Sequence, residues 1–297
     1  MIIQLKNEVL KMQFKVMIMG FFALGFLFCS AAPSDSAEQN VLNIAGATTI
    51  QPVLEVLADD YQHKSGQTVQ IQGGGSSRGI EHVLQGHGPL GAVSRALTPE
   101  EKKELEYVTI GKDALVFIVN KRNPVESIDR DTAVRLFRGE TKNWNELTNW
   151  ERSVVLVTKE MGRSTLDLFE KYTGIHHPDN PEDGENGRVD ESAYEIASNL
   201  DGVTLVAGMP GGVGYMSLGA SEYLRDKGMP VKILELEGYS MDRDSIVAGD
   251  YPISRELNLV YKEENKDLVQ GFLDFCLGRT GQEAVRDLGY IPVKESQ

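Results

Sequence analysis

The feature that most narrows what this chain can fold into is a strand that runs into glycines and hydroxyls and then into a helix. Val69 and Ile71 alternate as a buried strand, Gln72 to Gly79 read QGGGSSRG, and Ile80, Val83 and Leu84 recur at the spacing of one helix face. Such a turn can simply cap its helix, with Ser at the N-cap. It can also hold an anion, because glycines bring backbone N–H groups close and the first helical turn leaves donors unpaired at its positive end. Gly75 to Gly79 fits a third pattern, G-x-S-x-G, the nucleophile elbow of serine hydrolases, with Ser77 as nucleophile. That reading requires a later acid and then a histidine. The five His lie at 63, 82, 87, 176 and 177, so His176 or His177 would have to serve.

The same kind of turn recurs along the chain. VLNIAG reads as a strand and leads to Thr48 and Thr49, with Thr49 expected to cap a helix that carries Ile50, Val53, Leu54, Leu57 and Tyr61 and ends at Gly66. LGAVSR is apolar until Ser94 and Arg95, and Thr98-Pro99-Glu100-Glu101 spells a capping box with proline at the first helical position. SVVLVT ends in KEMGRST, where Lys159 and Arg163 supply cations and Ser164 and Thr165 hydroxyls ahead of Leu166, Leu168 and Phe169. Alternating strands and helices imply an α/β fold with a parallel sheet and a ligand beyond the carboxyl ends of its strands. The candidate ligand-binding residues are therefore Thr48, Thr49, Ser76, Ser77, Ser94, Arg95, Lys159, Arg163, Ser164 and Thr165. Independent helix caps are the alternative.

The N-terminus has a different purpose. Lys6, Lys11 and Lys15 precede an apolar run over residues 16–28 and then Cys29-Ser30-Ala31-Ala32, the plan of a cleaved secretory signal over residues 1–32. The run is short for a membrane span. Bulky Phe28 ahead of Cys29 disfavours a lipid-anchored form, so a periplasmic or secreted protein is expected. Cleavage would remove three Lys and one Glu and take the formal net charge from −14 to −16. Such a surface argues against nucleic acid or anionic lipid as a partner, and it obliges an anion site to use local donors. Cys276 would remain alone, without an internal disulfide.

At 297 residues the chain can form two domains. YVTI and ALVFIVN read as two further strands, and KRNPV, residues 121–125, is where the chain is expected to cross into a second domain. There Ala133, Val134, Leu136 and Phe137 mark a helix ended by Gly139, and Trp144 is expected to anchor a core. HHPDNPEDGENG reads as a solvated loop. Adjacent His176 and His177 share no helical face and have no further His or Cys nearby, so no metal site and no cofactor is expected. GDYPISRELNLVYK returns a strand, residues 257–261, to the first domain, and two helices follow.

Taken together, ATTIQP, QGGGSSRG, SRALTPEE, FRGETKNWNEL, KEMGRSTLD, GGVGYMSLG, GDYPISR and GQEAVRDLGYIPV resemble the phosphate-binding proteins of bacterial ABC importers, over nearly all of the chain after about residue 40. The resemblance implies a two-lobed periplasmic-binding-protein fold of type II, with residues 40–120 plus 255–297 as one lobe, 121–254 as the other and a hinge between them. It further implies a monomer that captures inorganic phosphate, catalyses nothing and docks on a membrane ABC permease. Thr48, Thr49, Ser76 and Thr165 match the family's binding positions. Arg163 and Ser164 stand where the family usually has Ser-Gly, and Lys159 stands where many members have a phosphate-gripping arginine. Arg95 occupies the place where one branch has an Asp that accepts the phosphate proton, which leaves Asp113 as a possible acceptor. Another oxyanion such as sulfate, molybdate or tungstate, a sensor domain docked on a membrane receptor, and a serine hydrolase using Ser77 are the competing readings.

Overall fold

The computed structural model describes residues 41–293, and the signal-like segment with Cys29 lies outside them. In the first lobe β1 (Val41–Gly46) leads to α1 (Gln51–Ser65), β2 (Thr68–Gly73) to α2 (Ser76–Leu84), and β3 (Leu90–Val93) to α3 (Glu101–Glu104). β1 pairs in parallel with both β2 and β3, as β–α alternation requires. Gly66, with φ 77°, ends α1, and Thr98 and Glu101 exchange the two hydrogen bonds of the expected capping box. Thr49 does not cap α1: Ile50 holds that position, and Thr49 is buried with its hydroxyl turned to another partner.

The two apolar runs expected as separate strands form one fifteen-residue strand, β4 (Glu106–Asn120). Its first half pairs with β11 (Ser254–Tyr261), whereas Leu115–Val119 pairs with β8 (Gly212–Ser217). Ala114–Val119 sit in the second core, whereas Ile110, earlier on the same strand, sits in the first. The chain returns along β11, with Tyr251 and Ile253 in the second core and Leu257 and Leu259 in the first. An outgoing and a returning strand must run antiparallel. The sheet is consequently parallel in its outer parts and antiparallel at the seam, in the order β2-β1-β3-β11-β4-β8-β6-β7, where β6 is Val155–Lys159 and β7 is Tyr194–Ile196.

The second lobe carries β5 (Ser127–Ile128), α4 (Arg130–Phe137), β6 (Val155–Lys159), α5 (Ser164–Thr173), β7 (Tyr194–Ile196), α6 (Asn199–Gly208), β8, α7 (Leu218–Asp226), the short β9 (Val231–Ile233) and β10 (Glu235–Leu236), and α8 (Arg243–Ala248). Trp144 is fully buried and its indole N–H donates to Gly211 O at 2.9 Å, the expected core anchor. Phe137, Phe169 and Tyr215 pack around one another, with Phe169 and Tyr215 stacked at 4.0 Å. The chain closes with α9 (Lys266–Leu277), α10 (Arg279–Asp287) and β12 (Ile291–Pro292), and buried Cys276 lies in the first core. Among the described residues no helix is long and apolar enough to cross a membrane.

Candidate functional site

The strand ends of both lobes meet at a narrow cavity. Thr48, Thr49 and Gly75 line it from the first lobe, and Lys159, Arg163, Ser164, Thr165 and Asn199 from the second. Gly75 has φ 93°, and a Cβ there would lie 2.5 Å from Gly162 O, so the glycine loop supplies both a left-handed turn and a close approach between lobes. Side chains join the lobes across the gap. Thr48 Oγ1 donates to Ala197 O at 3.4 Å, Asn199 Nδ2 donates to Thr49 Oγ1 at 3.3 Å, and the hydroxyls of Ser94 and Ser164 are 2.5 Å apart.

The cations are placed by different means. Lys159 ends β6 at 2 % exposure, and its Nζ donates to Ser198 O at 2.8 Å and to Asn199 Oδ1 at 3.3 Å. Burial, reinforced by the Arg255 charge, holds its amine well below the usual lysine range. Arg163 pairs with Glu160 at 2.6 Å.

Sequence reasoning missed two residues of the site, Arg255 and Asn199. The Arg255 side chain is fully buried: Nε and Nη2 donate to Asp113 Oδ2 at 2.9 and 2.7 Å, and Nη1 donates to Thr165 Oγ1 at 3.0 Å. The signal available was an arginine near the start of the strand SRELNLVY, ahead of its apolar end. Asn199, at the start of α6, carried no signal beyond the cap at Ser198 preceding it.

Several expected residues stand apart from the cavity. Ser76 is buried, with its Oγ accepting from Ser94 N at 3.1 Å, and it orders the turn. Ser77 is exposed, near Gly162. Arg95 is held by Glu101 through two 2.8 Å bonds, with Nε 3.6 Å from Asp167; these bonds raise the Arg95 pKa and lower that of Glu101. Withheld water pushes Asp167 up to about 6 against the pull of Arg95. Asp113 is not a free acceptor, because Oδ2 takes both Arg255 bonds and Oδ1 accepts from Gly219 N at 3.2 Å.

The histidines serve their own loop. His176 Nδ1 contacts Glu182 O at 3.0 Å, buried His177 accepts the Asp179 N–H on Nδ1 at 3.1 Å, and among the described residues neither bonds Ser77. His177, Asp179 and Glu195 do gather within 4.8 Å of one another. A metal on Nε2 would nevertheless place a proton on Nδ1 facing the Asp179 N–H, which disfavours that use.

Comparison with known proteins agrees with this geometry. The model of the PBP superfamily domain matches residues 31–280. The phosphate-binding protein PstS of Bacillus subtilis is 27% identical over 270 residues, covering 89% of this chain and 85% of that protein. PstS of Borreliella burgdorferi is 25% identical over 289 residues, covering 94% and 99%. Among solved structures, one from Clostridium perfringens with bound phosphate has a TM-score of 0.75 at 28% identity, covering 86% of this chain and 100% of that one. An ABC-type phosphate transport receptor from Vibrio cholerae has a TM-score of 0.67 at 26% identity, covering 84% and 99%. With most of its length matched by the family model, and with a two-lobed fold whose strand ends meet at a donor-lined cavity, the chain belongs to the PBP superfamily.

Proposed function

We propose that the chain is an exported solute-binding protein that captures inorganic phosphate between its lobes and hands it to a membrane ABC permease, without chemistry on the ligand. The observation that carries the reading is the cavity at the lobe junction, with hydroxyls from both lobes, two cations and, among the described residues, no lining carboxylate. Its donors are local, as a chain of net charge −14 requires. Thr48 and Thr49 would grip the anion from the first lobe, and Lys159, Arg163, Ser164 and Thr165 from the second. Ser76, Ser94 and Arg95 would shape the turns behind them. The lobes would be residues 41–113 with 254–293, and residues 114–253, hinged where β4 and β11 cross.

Calorimetric titration with phosphate, arsenate, sulfate and molybdate at neutral pH tests this function. Binding of phosphate and arsenate is the expected result. Heat from molybdate alone would transfer the fold to another oxyanion, and no heat from any of the four would end the anion reading. Ester hydrolysis abolished by Ser77→Ala would instead revive the hydrolase.

A further inference from the structure

Arg255 is a fully buried charge at the seam of the lobes, and it is not among the residues that line the cavity. It lies near the start of β11, opposite Asp113 of β4 in the strand register. Nε and Nη2 both donate to Asp113 Oδ2, at 2.9 and 2.7 Å, while Asp113 Oδ1 accepts from Gly219 N at 3.2 Å in the first turn of α7. Two strands and a helix thus fix the plane of the guanidinium. Its remaining arm, Nη1, donates across the seam to Thr165 Oγ1 at 3.0 Å.

Thr165, unlike Arg255, lines the cavity, in the first turn of α5. A threonine hydroxyl has one proton and can turn it to any acceptor in reach. Thr48 gives its proton to Ala197 O, and Thr173 gives its own to Phe169 O within α5. The guanidinium decides the matter for Thr165. With an N–H aimed at its oxygen the hydroxyl is an acceptor on that side, and its proton must point elsewhere. Among the described residues no acceptor takes that proton, so it is left for a ligand oxygen. A bond donated by a charged group also polarises the O–H and makes it a stronger donor.

We propose that Arg255 is a positioning residue for anion capture: it holds the Thr165 hydroxyl as a donor toward the ligand, while Asp113 keeps the guanidinium itself off the anion. The carboxylate balances the charge of Arg255, so what reaches the cavity is chiefly the direction of one O–H. A lysine in this place could still pair with Asp113. Being a point charge without the planar fork, it could not hold that pair and reach Thr165 at once.

This inference rests on the anion-binding reading, and the test keeps the two apart. Phosphate is titrated calorimetrically into the natural chain, Arg255→Lys, Thr165→Val and the double variant, each checked for folding by circular dichroism. Arg255→Lys should bind phosphate about tenfold more weakly, the size of one hydrogen bond. In the Thr165→Val background, where the donor itself is gone, the same change at Arg255 should cost less than about twofold. The radius of gyration without ligand should be the same in Arg255→Lys as in the natural chain. Should Arg255→Lys not fold, the uncharged pair Asp113→Asn with Arg255→Gln replaces it in the same cycle, because it removes both charges together and also lacks the arm to Thr165. An equal loss in both backgrounds would mean that Arg255 does not act through Thr165. An unchanged affinity in Arg255→Lys, or a larger ligand-free radius, would likewise overturn the positioning role, and all three outcomes leave phosphate capture standing. Absence of phosphate binding by the natural chain would overturn the function itself.

Discussion

At the scale of single residues, the buried Asp113–Arg255 pair outweighs the exposed ion pairs. Both side chains are at most 1 % exposed, and Asp113→Asn would leave an uncompensated guanidinium between the lobes. Breaking one side of such a pair costs about 3–5 kcal/mol. Urea unfolding should therefore show a large loss in this variant, and a loss below about 1 kcal/mol would place the pair among weak surface contacts. The cations of the cavity invite a comparison. Arg163 lines it, whereas Arg78 is exposed on α2, so Arg163→Ala should weaken phosphate binding by one to two decades, as loss of a charge-assisted bond of roughly 1.5–3 kcal/mol implies. Equal and small losses in the two variants, measured by calorimetry, would remove Arg163 from the site. The threonines and Lys159 were legible because each follows an apolar run and so stands at a strand end. Arg255 was not, since its place depends on which strand β11 lies beside, and pairing partners leave no trace in the local pattern. The expectation for Asp113 failed for the same reason: with Arg255 unseen, its carboxylate looked free.

At the scale of elements, every strand–turn–helix unit expected from the glycine and hydroxyl turns exists, because period-two runs and capping signals act within a few residues. β4 escaped that reasoning. Gly111, Lys112 and Asp113 interrupt its apolar run and resemble a turn, yet they are held extended between β11 and β12, and only the tertiary pairing makes that favourable. The glycine loop carries a prediction of its own. Gly75→Ala would place a Cβ at positive φ and drive it against Gly162 O on the opposite lobe. Gly86 also has positive φ, at 70°, but a Cβ there meets nothing within 4 Å. Both substitutions should lose about 1–3 kcal/mol of stability through backbone strain. Gly75→Ala alone should also lose phosphate affinity, by about tenfold or more, because the lobes can no longer come together. Equal phosphate affinities in the two variants would show that Gly75 serves only its turn.

At the scale of the whole molecule, the question is what holds the lobes together. Neutral side-chain bonds that reach across the cavity include Thr48 to Ala197, Asn199 to Thr49 and Ser94 with Ser164, and charged side chains join the lobes through Arg255 to Thr165 and Arg95 beside Asp167. At about 0.5–1.5 kcal/mol for a neutral bond and roughly 1.5–3 kcal/mol for the charge-assisted one, these are of the same order as the roughly 5.5 kcal/mol needed to move a two-state equilibrium from 1:99 to 99:1. An anion that bonds donors of both lobes at once makes its full set of contacts in the closed state alone, so it supplies the differential affinity that closure requires. The rotation should centre where β4 and β11 pass between the cores. There Arg255 faces Asp113 in register, and the pairing of β11 with β4 slips between Leu257 and Asn258. Small-angle scattering should then give a smaller radius of gyration at saturating phosphate than without it. Gly75→Ala should keep the larger radius at a phosphate concentration that closes the natural chain. A radius that phosphate leaves unchanged in the natural chain would mean that the lobes are joined rigidly, and that the anion enters a cavity already formed.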